Sequence, residues 1–176
     1  MRVTSRYWAA VSLGGALTVL AILLNRPELL AGTAALGTWL LAHQFRFVGQ
    51  ARQTVDDLSV VQSSARERVV KNEPFAVTVE AVLAAPSFLD VEILADPSVS
   101  VSGVDDDERW CRLPSEKQHT TTTMVVSGTL AGRVRFSRPT VRLADPFGLF
   151  SESISVGDVL EVAVEANPPR QLHVGT

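Results

Sequence analysis

Tyr7–Leu24 reads YWAAVSLGGALTVLAILL, eighteen residues without a charge. At the rise of an α-helix the run covers about 27 Å, nearly the thickness of a bilayer's hydrocarbon core. It is therefore predicted to cross a membrane. After the connector Asn25-Arg26-Pro27-Glu28, a second apolar run extends from Leu29 to Ala42. Alone it is too short to cross. It reaches about 30 Å only when His43, Gln44 and Arg46 join its last turns with their polar tips among the headgroups. The expectation is a two-helix transmembrane hairpin in residues 1–52, with spans at about 7–24 and 29–47 and both ends on one side.

The arginines orient that hairpin. Arg2, Arg6, Arg46 and Arg52 lie on the terminal side and Arg26 alone on the connector side, so the positive-inside rule puts both ends in the cytoplasm. A cleaved signal peptide is the competing reading. Against it, the apolar run is long, no small-x-small site closely follows it, and a second apolar segment comes at once. Ala10 with Gly14, and Thr33 with Gly37, are each four apart, so each pair lies on one helical face and permits close approach of the hairpin's own helices or a partner's span. Tyr7, Trp8 and Trp39 fit interfacial anchors. His43, beside Gln44 and Arg46, reads as interfacial rather than as part of a proton path.

Residues 53–176 change character. They carry eleven basic and eighteen acidic side chains, net −7, against +4 for the first 52 residues and −3 for the whole chain. An acidic domain repels phosphate backbones, which argues against nucleic acid as a partner. The single cysteine, Cys111, excludes an intrachain disulfide. It does not follow the apolar run where a lipid anchor would need a thiol.

In this part apolar residues alternate with polar ones, the mark of strands with one buried face. Phe75, Val77, Val79, Ala81 and Leu83 share one parity, as do Leu89, Val91, Ile93 and Ala95. Val134 and Phe136, Val141 and Leu143, and Leu160, Val162 and Val164 repeat the scheme. Val55–Ser59 and Arg66–Val70 are predicted to supply the first strands, and Thr120–Leu130 another. Breakers such as Lys71-Asn72-Glu73-Pro74, Ala85-Pro86-Ser87, Asp96-Pro97-Ser98 and Val156-Gly157-Asp158 separate them. Short strands at this spacing predict an all-β domain over 53–176, an immunoglobulin-like β-sandwich of seven to nine strands tethered to the membrane hairpin.

Chemistry-bearing groups are few. Asp105-Asp106-Asp107-Glu108 has the oxygens a hard cation wants, but four consecutive carboxylates lack the alternating spacing and glycine turn of a calcium loop, so a solvated turn is the plainer reading. His119 precedes four threonines, and neighbours on a strand point to opposite faces. Cys111, between Trp110 and Arg112, reads as a small core or edge residue rather than a reactive thiol. One cysteine and three scattered histidines make no zinc spacing, and there is no glycine-rich phosphate loop. The reading is of a protein that is not an enzyme and has no cofactor.

The sharpest feature is Asp145-Pro146-Phe147-Gly148-Leu149-Phe150, at the end of the predicted strand Val141–Ala144. Asp-Pro starts a turn, Gly148 permits a positive φ, and Phe147, Leu149 and Phe150 can pack beneath it as a hydrophobic corner. Together with two spans, a β-rich domain, the flanking Arg138–Ala144 and the closing Val164–Arg170 (VEANPPR), this segment resembles the N-terminal half of the domain-of-unknown-function 58 family of bacterial and archaeal membrane proteins. Members normally continue into a von Willebrand factor A-like domain, and the resemblance implies a MoxR-type AAA+ ATPase as a partner. The chain stops at Thr176, where that second half would begin; if these 176 residues are the entire product, the metal-dependent adhesion site of an A-type domain is not carried over. A truncated reading frame and a split gene are open alternatives.

The expected function is a non-catalytic, membrane-anchored interaction or scaffold module. Its partners would be membrane lipid and a protein, the ATPase by resemblance, in an envelope or chaperone-like assembly, with the sandwich in the cytoplasm. The alternatives are an exported envelope or adhesion domain of structural role, and an enzyme or ion-dependent binder using Asp105–Glu108.

Overall fold

The computed structural model describes residues 1–95, 101–103, 110–113 and 118–166. A short strand β1 (Arg2–Val3) leads into helices α1 (Ser5–Leu23) and α2 (Glu28–Asp57). Strands follow as β2 (Leu58–Ser64), β3 (Arg68–Val70), β4 (Pro74–Leu83), β5 (Asp90–Leu94), β6 (Val101–Ser102) and β7 (Trp110–Leu113). The remainder are β8 (His119–Gly128), β9 (Gly132–Phe136), β10 (Thr140–Ala144), β11 (Phe150–Ser155) and β12 (Leu160–Glu165). They form three sheets ordered β1-β11-β10-β5-β7, β2-β4-β8-β6 and β3-β12-β9. All pairings are antiparallel except β3 with β12.

Parity decides which faces meet. Phe75, Val77, Val79, Ala81 and Leu83 are all buried along β4, and Leu89, Val91, Ile93 and Ala95 along β5 and its flanks. Opposite Val77 stands Met124 of β8, and opposite Val141 of β10 stand Ile93 of β5 and Ile154 of β11. The inner faces of the three sheets share one buried cluster, so the body is a β-sandwich with alternating side chains interdigitated at its centre. Gly157 marks a close approach. Its φ is +83°, and a Cβ there would lie 2.5 Å from the Val60 carbonyl oxygen, so the turn between β11 and β12 passes under β2 with no room for a side chain.

The helices pack antiparallel through a four-residue connector that turns at Asn25, φ 51°. Gly14 is buried between them, its Cα facing Thr33 and Leu36 of α2, so the first predicted small-residue face serves the hairpin itself. A Cβ at Gly37 would meet no side chain or other element within 4 Å, so Gly37 does not serve that contact. Leu13, Val19, Leu20, Ile22 and Leu23 of α1 are exposed.

Among the described residues α1 is the one helix long and apolar enough to cross a membrane. The expected pair of spans thus resolves as one candidate span, because α2 divides its length between two environments. Its 30 residues run on to Asp57. One face of the second half, with Phe47, Ala51 and Thr54 buried, lies on the sandwich. Two boundaries move with it. The helix runs past residue 52, and Val55–Asp57, predicted as the start of a strand, are its last turn. Among the described residues twelve strands replace the expected seven to nine; those without a predicted counterpart are the two- to four-residue edge pieces β1, β6 and β7 and the six-residue β11. The breaker Asp96-Pro97-Ser98, the acidic run Asp105–Glu108 and the Asn167–Arg170 end of the family segment lie outside the described residues.

Candidate functional site

Asp145–Phe150 sits where the helices meet the sandwich. Strand β10 ends at Ala144, and the chain reverses into β11 at Phe150. The Gly148 N–H donates to the Asp145 carbonyl at 2.7 Å, and the Asp145 N–H to the Phe150 carbonyl at 3.0 Å. Gly148 adopts φ +67°, a left-handed conformation that glycine enters without the Cβ penalty. Leu149 and Phe150 are buried beneath the turn as expected. Phe147 is 57% exposed and lies instead against the helices.

Asp145 is 3% exposed, a buried carboxylate that must be satisfied to be tolerated. One oxygen accepts from the Leu149 N–H at 3.0 Å. The other lies 2.6 Å from Nε2 of His43 on α2, 102 positions away. When Asp145 is ionised it only accepts, and Nε2 is then the donor of that bond. The imidazole is held on both sides. Trp39, one turn before it, stacks at 5.3 Å and 11°, and Phe147 meets it edge-on at 5.1 Å. One turn later Phe47 packs on Phe150 at 5.6 Å, and Tyr7 of α1 reaches the same ring at 5.4 Å.

The N-terminal segment closes the arrangement from the other side. Arg2 and Val3 pair with Ser151 and Phe150. The Thr4 hydroxyl donates to the Gly148 carbonyl at 2.5 Å and its N–H to Leu149 at 3.0 Å. Arg6 Nη1 donates to the Phe147 carbonyl at 3.2 Å, and the terminal ammonium reaches Glu152 at 2.9 Å. A second contact lies farther along α2. The loop 84–89 is held by Thr54 Oγ1 to Ser87 Oγ at 2.8 Å and by the Ala84 N–H to the Asp57 carbonyl at 2.9 Å. There the Arg46 guanidinium stands 5.4 Å over the exposed Phe88 ring.

The motif is therefore a clasp: one turn of the sandwich gripped by α2 through His43 and by the start of α1 through Thr4 and Arg6. His43 with Asp145 resembles two members of a catalytic triad. Among the described residues no Ser, Thr or Cys side chain is hydrogen-bonded to this imidazole. His43, expected at the membrane interface, is an internal partner of the turn. The sequence did hold a signal for this, since Trp39, His43, Phe47 and Ala51 recur every four residues on one helical face.

The other candidate groups stay apart. Cys111 is buried, its Sγ 3.3 Å from Thr120 Oγ1. His119 Nε2 lies 2.9 Å from Glu80 on the exposed face of β8 and β4. Thr123 meets Thr78 across the strands at 3.2 Å. Among the described residues no three His, Cys, Asp or Glu side chains are arranged to hold a metal ion.

The sequence matches no protein-family model. It matches no curated protein either. Among solved structures, the CARDB domain of a Pyrococcus furiosus protein, crystallised with two metal ions, is similar at TM-score 0.41 and 14% identity, over 62% of this chain and 94% of that one. A FixG-related protein from Vibrio parahaemolyticus is similar at TM-score 0.38 and 8% identity, over 62% of this chain and 98% of that one. Neither likeness bears on function.

Proposed function

We propose that the chain is a non-catalytic, membrane-anchored interaction module in which the sandwich is held rigidly against its anchor. The carrying observation is the uncovered apolar surface of α1. A nineteen-residue helix that buries Gly14 and Ala21 and presents leucine, isoleucine and valine outward needs a hydrocarbon surround. The first half of α2 returns alongside it, packed at Gly14, which supports reading the pair as a two-helix hairpin, and the arginine count supports placing both its ends on the cytoplasmic side. Against a cleaved signal peptide stands the N-terminal segment itself. Arg2–Val3 form a strand with β11, and Thr4 and Arg6 bond the Asp145–Phe150 turn, so the segment is part of the domain.

On this reading the sandwich presents strand edges and loops to a protein partner. Strand β9 has β12 on one side, and its other edge is unpaired among the described residues. The resemblance of Asp145–Phe150 to the domain-of-unknown-function 58 family supports a MoxR-type AAA+ ATPase as that partner, in an envelope or chaperone-like assembly. The test has two parts. Leu130→Cys, on an exposed turn, is labelled with a membrane-impermeant maleimide in intact and in lysed cells, and detergent-solubilised protein is checked for the co-purifying ATPase. Labelling restricted to lysed cells together with recovery of the ATPase supports the reading. Labelling in intact cells places the sandwich outside and contradicts it.

A further inference from the structure

The junction between helices and sandwich carries an exposed collar that the anchor reading does not use. Trp8, Trp39, Phe147 and Phe88 are exposed there, Phe88 at 69%. Phe88 belongs to the sandwich loop between β4 and β5, held to the end of α2 by the Thr54–Ser87 bond. An isolated exposed phenylalanine is unremarkable. This one is fixed beside a cation, because Arg46 lies over its ring. Arg46 stands seven residues beyond Trp39 on α2, about 10 Å farther along the helix axis and therefore at headgroup depth if Trp39 marks the interface. On the α1 side Arg6 is fixed at the same junction by the Phe147 carbonyl.

Two of the facing acids are already engaged, and the third has arginines beside it. Asp145 is held by His43 and the Leu149 N–H, and Glu152 by the terminal ammonium, while Asp90 shares a shallow cleft with Arg6 and Arg142. Arg46 has no carboxylate partner among the described residues. The sandwich carries net −7 over residues 53–176, so an anionic surface repels most of it. The collar is where attraction replaces repulsion.

Resting on the reading that α1 crosses a bilayer, we infer that the sandwich lies on that bilayer through this collar and takes anionic phospholipid headgroups there. Arg46 and Arg6 meet lipid phosphates, and Phe88 and Phe147 enter the interfacial region. The sandwich then has one orientation on the membrane, and anionic lipid strengthens it.

The test uses the full chain with Cys111→Ser in nanodiscs of phosphatidylcholine alone or with phosphatidylglycerol. A polarity-sensitive fluorophore is placed at Phe88→Cys, at Leu130→Cys as a reference on the sandwich, or at Leu20→Cys as a reference in α1. Supporting results are quenching of the Phe88 label by a shallow lipid-borne nitroxide and shielding from aqueous iodide relative to Leu130. The docked-to-undocked ratio should rise with phosphatidylglycerol and fall about fivefold in Arg46→Gln, the effect of one arginine near an anionic surface. A Phe88 label as open to iodide as the Leu130 label, with Leu20 shielded, overturns the docking and leaves the anchor standing. Shielding that ignores both lipid charge and Arg46→Gln overturns headgroup recognition and points to a protein contact. An iodide-accessible Leu20 label overturns the anchor and the inference together.

Discussion

Removing the His43 imidazole tests the clasp energetically. In His43→Leu the Asp145 carboxylate stays buried and keeps one donor, the Leu149 N–H, while the bond from Nε2 at 2.6 Å is lost. A hydrogen bond to a charged group contributes about 1.5–3 kcal/mol net, and stranding a buried charge costs at the upper end of that range or beyond. With the Asp145 side chain 2% and that of His43 16% exposed, solvent offers little relief, so the expected loss is about 3 kcal/mol. Asp145→Ala should cost about as much, since it removes the same bond and also uncaps the Leu149 N–H. The double variant should cost far less than the sum, because no charge is then left unpaired. A coupling energy of about 2 kcal/mol is expected from the cycle, read by urea unfolding of the full chain in one detergent. Additive losses, with coupling under about 0.5 kcal/mol, would refute the view that His43 and Asp145 act on each other.

Other consequences follow from the same contacts. Gly148→Ala puts a Cβ at φ +67° and 3.1 Å from Arg6 Nη1, and should destabilise by about 1–2 kcal/mol in the same unfolding assay. Thr4→Val removes the hydroxyl bond to the Gly148 carbonyl and should cost about 1 kcal/mol, with faster amide exchange at Val3, paired with β11, than at Val141 in the sheet centre. Leu143→Ala, at a fully buried site in β10, should cost about 3 kcal/mol. Glu73 accepts from the Val70 N–H and pairs with Arg66, which hold its carboxyl below the ordinary value. Its contribution is therefore present above the unfolded carboxylate pKa and is lost as pH falls through the folded one. An NMR titration should show Glu73 protonating below a model glutamate, and in Arg66→Gln moving back toward it.

The sandwich was legible because parity is a local property. Phe75 to Leu83 and Leu89 to Ala95 announce their buried faces in sequence, and Gly148 announces a positive φ through the Asp-Pro before it. The helices were harder. Counting apolar length in Leu29–Ala42 assigns His43 to the headgroups, whereas the recurrence of Trp39, His43, Phe47 and Ala51 says that one face stays covered to the end of α2. The partner of that face is 102 positions away. No local pattern specifies such a pairing, and so the motif read as a corner of the sandwich when it also grips the helices. The edge strands β1, β6 and β7, of two to four residues, were missed because they are too short to show alternation.

Rigid coupling of anchor to sandwich is the claim on which the functional reading turns. It is measured most directly by the spin-label distance between α1 at Leu20 and the sandwich at Leu130 in lipid nanodiscs. One narrow distribution in the Cys111→Ser background, broadening when His43→Leu is added, is the expected result. A broad distribution before that substitution would contradict the account.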